Sequence, residues 1–276
     1  MNTQTTLDLV SGARDRRTGV GAFNVVLLEH AEAIAEGAER SRRPVVFQIS
    51  QNCVAYHGGL APIALATLSI ARSLSVPALV HLDHADDVEL VHEAVGLGFD
   101  SVMFDASTLP YAENVRLTAE VAAFCHERGV LVEAELGEVG GKDGVHAPGV
   151  RTDPGDARAF VAATGVDWLA VAVGTSHAMT TREAAVDSDL IARIAAATRV
   201  PLVLHGSSGL PDEQLRAAVE AGMAKINVST HLNVLFTDAV GTALEQGHVD
   251  PRKYVAPGRE AVARETERLL GLLAFG

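Results

Sequence analysis

The sequence predicts one α/β domain, a single (β/α)8 TIM barrel over residues 1–276 with a C-terminal helical extension from about residue 250. Three observations predict it. Eight short apolar runs alternate with amphipathic segments, as strand–helix repeats do. No Pro/Gly/Ser-rich linker interrupts that alternation, and eight repeats favour a closed barrel over an open sheet. Polar and ionisable residues recur at the C-terminal ends of the runs, where barrels of this kind carry their chemistry.

The runs fall at 19–25 (GVGAFNV), 44–50 (PVVFQIS), 77–83 (PALVHLD), 99–105 (FDSVMFD), 131–136 (LVEAEL), 167–173 (DWLAVAV), 201–206 (PLVLHG) and 225–230 (KINVST). Three open on a proline, Pro44, Pro77 and Pro201, a position a strand tolerates. They are nearly continuous in Val, Ile, Leu and Ala, as strands buried on both faces should be. Between them, residues 29–43, 60–75, 87–97, 111–128, 188–198 and 211–222 read as helices. The last of these has Pro211 at its start, Asp212 and Glu213 in the first turn, Leu215, Ala218 and Val219 on one face, and Gly222 as its stop.

Composition fits one large core. Hydrophobic residues make up 48% of 276, but aromatics only 4%, so small and branched aliphatics must fill it. The formal charge of -13 and the lack of a basic cluster beyond Arg40, Arg42 and Arg43 argue against nucleic acid. Two cysteines are too few for a disulfide framework, and no run is long enough to span a membrane. A cytoplasmic enzyme with no membrane or nucleic-acid partner is the expectation.

Asn24, Ser50, Asp83–His84, Asp105, Glu135 and His205–Gly206 end six of the strands. A seventh runs into Gly174–Thr175–Ser176–His177, and the eighth carries Asn227, Ser229 and Thr230. His84, His177 and His205 come from three strand ends and form a set suited to catalytic zinc, with a fourth position open. Any one of them alone reads more simply as a satisfied histidine; three on one rim reverse that weighting. Asp83 stands either as general acid/base or as a partner that orients a ligand. Asp105 and Glu135 suit a second cation, Na⁺, K⁺ or a divalent ion, or else a rim salt bridge. His81 shares a face with Asp83 and reads either as a residue that orients a ligand or as core packing, whereas His30, His92, His126 and His248 read as solvated helix residues. The stretches VGTSHA (173–178) and HGSSGLP (205–211) supply backbone N–H groups and hydroxyls for a phosphate, Ser208 among them.

With GAFNV (21–25), HLDHADD (81–87), SVMFDAS (101–107), EAELG (133–137), LAVAVGTSH (169–177), VPLVLHGSSGLP (200–211), AKINVST (224–230) and DPRKYVAPGREA (250–261), the chain resembles class II ketose-bisphosphate aldolases of the short fructose/tagatose type over nearly its whole length. The resemblance implies cleavage of a phosphorylated sugar, a ketose 1,6-bisphosphate, to dihydroxyacetone phosphate and glyceraldehyde 3-phosphate. It implies Zn²⁺ on His84, His177 and His205, a second metal position at Asp105 and Glu135, and proton exchange with the C4 hydroxyl at Asp83. Asn24, Ser50, Gly206, Ser208, Asn227, Ser229 and Thr230 match substrate and phosphate contacts. Arg252 matches an arginine that reaches the substrate from a neighbouring subunit of a homodimer or homotetramer. Two features depart from the pattern. The loop GGKDG (140–144) is one residue short and lacks the usual Glu, leaving Asp143 as its substitute, and Ala178 stands where Gly is usual.

Four alternatives remain open. A metal-dependent epimerase or isomerase would interconvert sugar phosphates without yielding a three-carbon fragment. An aldolase for another ketose phosphate, such as a deoxy-inositol-pathway phosphate, shares every motif. A sugar-phosphate sensor without turnover would bind dihydroxyacetone phosphate and cleave nothing. A Schiff-base aldolase needs a reactive lysine, and Lys225 opens its strand at the end expected to lie away from the site.

Overall fold

A computed structural model describes residues 3–137, 151–176 and 179–275. The elements run α1 (Thr3–Arg16), β1 (Val20–Asn24), α2 (Leu28–Ser41), β2 (Val45–Ser50), α3 (Gln51–His57), α4 (Ala61–Ser73), β3 (Ala78–Ala85), α5 (Val88–Leu97), β4 (Ser101–Phe104), α6 (Tyr111–His126), β5 (Leu131–Leu136), α7 (Pro154–Thr164), β6 (Trp168–Val171), α8 (Ser188–Ala197), β7 (Leu202–Leu204), α9 (Asp212–Ala221), β8 (Met223–Val228), α10 (Thr230–Leu244) and α11 (Pro251–Leu273). All eight strands pair in parallel and in sequence order, and β8 closes on β1. This is the (β/α)8 barrel with its C-terminal helix. No single helix among the described residues is long and apolar enough to cross a membrane.

Strand alternation sorts side chains into two shells. Phe23, Phe47, Ile49, Val80, Leu82, Val102, Val132, Leu169, Leu204 and Ile226 face outward, in one core with the helices. Val20, Ala22, Val46, Leu79, Leu131, Trp168, Ala170 and Val203 face inward and form a second core. Leu9, Val10 and Ala13 of α1 join that inner core, so α1 plugs the N-terminal mouth of the barrel. Helix ends follow local chemistry. Asp87 and Asp153 accept backbone N–H bonds at the starts of α5 and α7, and Gly98 and Gly165 close those helices in the left-handed conformation. The extension α11 packs across α2 and α10, and Arg40 of α2 reaches Glu260 at 2.9 Å.

Above the inner apolar core the barrel turns polar. Gln48, His81, Ser101, Glu133 and Lys225 form a buried middle layer. One residue pair further along the strands lie Asn24, Ser50, Asp83, Glu135 and Asn227, at the C-terminal mouth. One histidine departs from expectation here: His30 is not solvated but buried against Phe236, with ring centroids 4.7 Å apart. Its helix, α2, lies under α11, and burial lowers its pKa.

Candidate active site

Asp83 and His84 are consecutive, and a regular pleat would send them to opposite faces. The pairing of β3 with β4 shifts register between Leu82 and Ala85, and His84 takes a left-handed backbone with φ 51°. A non-glycine residue pays about 1–3 kcal/mol for such a conformation. The irregularity brings both side chains to the same mouth. Ligand atoms of Asp83, His84 and His205 lie within 4.8 Å of one another, and so do those of His84, Asp105 and Glu135. Two candidate cation positions therefore share His84.

Hydrogen bonds fix most of these groups. His84 Nδ1 is 2.7 Å from Asp105 Oδ2, and Ser107 Oγ donates to Asp105 Oδ1 at 2.6 Å. The His84 and His205 rings meet edge to face, centroids 4.6 Å apart. His205 is fully buried between two carboxylates, with Nε2 2.9 Å from Glu133 Oε1 and Nδ1 3.1 Å from Glu135 Oε2. Burial works to lower the His205 pKa, but the hydrogen bonds to Glu133 and Glu135 outweigh it and raise it to about 9. Asp83 accepts a 2.9 Å bond from Asn24 Nδ2, and Asn24 Oδ1 in turn accepts from Gln48 Nε2. Burial pushes the Asp83 carboxyl upward. The charges of His84, His205 and Lys225 outweigh it and hold the group well below the usual carboxylate range. A carboxylate held in this way is ionised and fixed in place.

One side of the mouth is stitched from two segments. Ser207 Oγ donates to the Asn227 carbonyl, and Ser229 N donates to Ser208 Oγ at 3.2 Å. Thr175 Oγ1 donates to the His205 carbonyl at 2.7 Å. Gly206 has φ 66°, and an added Cβ would stand 2.5 Å from the Ser176 carbonyl oxygen. Glycine is needed at that approach. Ser50 caps α3 by accepting from Cys53 N, which leaves its hydroxyl proton to donate elsewhere. Thr230 opens α10. Arg252 stands apart at the start of α11, its side chain 90% exposed and its guanidinium held by Asp250 at 2.8 Å. His177, Ala178 and Asp143 lie outside the described residues.

Sequence reasoning missed Glu133, Gln48 and Ser101, and it misplaced Lys225. Lys225 does not sit at the far end of the barrel. It is the third residue of β8, fully buried, with Nζ 2.9 Å from both Glu133 Oε2 and Asn227 Oδ1. His81 adjoins the same carboxylate, Nε2 at 3.6 Å, and its Nδ1 is 2.8 Å from Ser101 Oγ. Burial, and then the Lys225 charge, lower His81 to about 3 and keep it neutral. The usable signal was the period of two: His81, Glu133 and Lys225 each precede a mouth residue by two positions on the same strand.

The donor set suits a metal ion. Two imidazoles and three carboxylates converge at the mouth, most of them buried, and imidazole and carboxylate are donors that zinc and harder cations take.

Comparison with known proteins agrees with that chemistry. The family model for "Fructose-bisphosphate aldolase class-II" matches residues 4–275. The fructose-bisphosphate aldolase of Geobacillus stearothermophilus is 39% identical over 261 residues, covering 92% of this chain and 91% of that one. The 6-phospho-5-dehydro-2-deoxy-D-gluconate aldolase of Shouchella clausii is 38% identical over 265 residues, covering 94% and 90%. Among solved structures, the YdjI aldolase of Escherichia coli K12 superposes with a TM-score of 0.84 at 31% identity, covering 97% of this chain and 95% of that one.

Proposed function

The chain belongs to the class-II fructose-bisphosphate aldolase family, an aldehyde-lyase family of metal-dependent enzymes acting on phosphorylated sugars, and from that premise we propose that it cleaves a ketose 1,6-bisphosphate, fructose or tagatose, with zinc as its metal. The products are dihydroxyacetone phosphate and glyceraldehyde 3-phosphate. The observation that carries the reading is the convergence of Asp83, His84 and His205 beside a second set, His84, Asp105 and Glu135. His84 and His205, with His177, would hold zinc, and Asp105 and Glu135 would hold a second cation. When bound, zinc supplies Lewis-acid polarisation of the ketone and stabilises the charge left after cleavage.

The chain's own groups do the rest. Asp83, ionised and aimed by Asn24, takes the proton of the C4 hydroxyl. The C3–C4 bond breaks, its electron pair stays on C3, and the aldehyde leaves. A proton must return to C3, and we assign that donation to Asp143. The stitched loops at Gly206–Ser208 and Asn227–Thr230 hold a phosphate with hydroxyls and backbone N–H groups. Arg252, exposed and paired with Asp250, fits a role at the site of a neighbouring subunit in a homodimer or homotetramer. Cys53 and Cys125 are free and buried, in keeping with a cytoplasmic enzyme.

A second substrate has a specific observation behind it: the gluconate-phosphate aldolase relative is as similar as the fructose-bisphosphate one, 38% against 39%. One assay decides. Release of dihydroxyacetone phosphate is followed with fructose 1,6-bisphosphate, tagatose 1,6-bisphosphate and 6-phospho-5-dehydro-2-deoxygluconate, before chelation, after it, and with zinc restored. Bisphosphate cleavage that chelation abolishes and zinc restores is expected. Cleavage of the gluconate phosphate alone would transfer the assignment to that substrate. No release from any of the three, in zinc-loaded protein, would reject the catalytic reading in favour of a sugar-phosphate sensor.

A further inference from the structure

The buried ion pair beneath the site reaches two of its members at once. Glu133 accepts from His205 Nε2 at 2.9 Å with one oxygen and from Lys225 Nζ at 2.9 Å with the other. Lys225 Nζ also donates to Asn227 Oδ1 at 2.9 Å. All four side chains are buried, Glu133, Lys225 and His205 completely.

Donor and acceptor chemistry turns these distances into constraints. An ionised carboxylate only accepts, so the His205 ring must carry a proton on Nε2. Nδ1, the nitrogen on the Glu135 side, is then the one whose proton a metal ion would displace. An ammonium only donates, so Asn227 must turn its amide oxygen toward Lys225. Its NH₂ group then points the other way, with both hydrogens available to a ligand at the mouth.

We propose that Lys225 and Glu133 are paired positioning residues that set the proton placement of His205 for metal binding and, through the same ammonium, the amide orientation of Asn227 for the phosphorylated substrate. The inference rests on the zinc-aldolase reading. Neither residue touches substrate. Lys225 is committed to two acceptors and does not act as a Schiff-base amine. Its removal should disturb two ligands, whereas removal of the Glu133 charge should disturb one.

The test uses the full chain with Lys225→Met, Glu133→Gln and the double variant. Zinc affinity is read by competition with a chromophoric chelator, without substrate. Dihydroxyacetone phosphate affinity is read by calorimetry on zinc-saturated protein. Both single variants should lose about 10- to 100-fold in zinc affinity, the range for groups that orient a ligating histidine. Lys225→Met should also weaken dihydroxyacetone phosphate binding about 10-fold, as expected for a misdirected amide donor, while Glu133→Gln stays within about 3-fold. Lys225→Met leaves a buried carboxylate unpaired and could fail to fold, so the double variant, which removes both charges, serves as the second probe. It should fold, bind zinc weakly and bind dihydroxyacetone phosphate weakly. Wild-type zinc binding and sugar cleavage with unchanged affinities in the folded variants would overturn the inference alone. A wild-type protein that takes up no zinc would overturn the functional reading beneath it.

Discussion

Gly206→Ala probes the closest backbone approach at the site. The new Cβ would stand 2.5 Å from the Ser176 carbonyl oxygen, 2.6 Å from its carbon and 2.9 Å from its nitrogen. Contacts of this type relax near about 3.5 Å, so the loop must shift by about 1 Å. No side chain can rotate aside, because all three atoms are backbone. Gly165→Ala is the control: its φ is 71° against 66° for Gly206, and nothing lies within 4 Å of its Cβ. The control carries the left-handed penalty of about 1–2 kcal/mol, offset by about 0.4–1 kcal/mol from a stiffer unfolded chain. Gly206→Ala adds about 1–3 kcal/mol of overpacking, for a total of about 1–5 kcal/mol. Gly206 follows His205 and precedes Ser208 by two residues, so a 1 Å shift should lower kcat/KM about 100-fold, or about 2.7 kcal/mol of barrier. Urea unfolding of both variants and the dihydroxyacetone phosphate assay give the readouts. Equal stability of the two variants within about 0.5 kcal/mol, with kcat/KM preserved within about 3-fold, would refute the steric account.

Asp83→Asn keeps the size of the side chain and an oxygen for Asn24, so it isolates the proton transfer. Its kcat should fall by about 10²–10⁴ with zinc content unchanged; lost zinc would instead make Asp83 a ligand. Glu265 gives the pH prediction. Burial pushes its carboxyl up, but hydrogen bonds from Arg268 and His231 outweigh that and lower it to about 2, from an ordinary 4.5. A depressed folded-state pKa stabilises above the unfolded value and is lost as pH falls through the folded one. The stability gap between wild type and Glu265→Gln should therefore be constant above about pH 5 and shrink between about pH 4.5 and pH 2, as urea midpoints will show; a gap that grows on acidification would contradict the ion pairing.

The barrel was legible because its signals are local. Pro44, Pro77 and Pro201 mark strand entries, and the eight apolar runs lie within about two residues of the observed strands. The mouth residues were legible because a barrel collects chemistry at strand ends. Of the middle layer only His81 was read, since Glu133 and Lys225 sit inside apolar runs and look like interruptions until their partners across the barrel are known. The register shift at Asp83–His84 depends on how β3 meets β4, which no local pattern encodes. Helix α1 went unread as well. Its first residues are polar, and its apolar side, Leu9, Val10 and Ala13, makes sense only against the barrel mouth it closes. His30 was misjudged for the same reason, because the helix α11 that covers its neighbourhood comes from the far end of the chain.

The polar layer also bears on which barrel the chain can form. Slipping β5 or β8 by one residue would exchange its inward and outward faces. Glu133 or Lys225 would then enter the shell of Phe47, Val102, Leu169 and Ile226 that faces the helices, without its partner. An unpaired buried charge costs about 3–5 kcal/mol, a large share of the stability of an ordinary domain. Misregistered barrels are therefore penalised by the same two side chains that aim His205 and Asn227, so the register of these strands and the aim of the site are specified together.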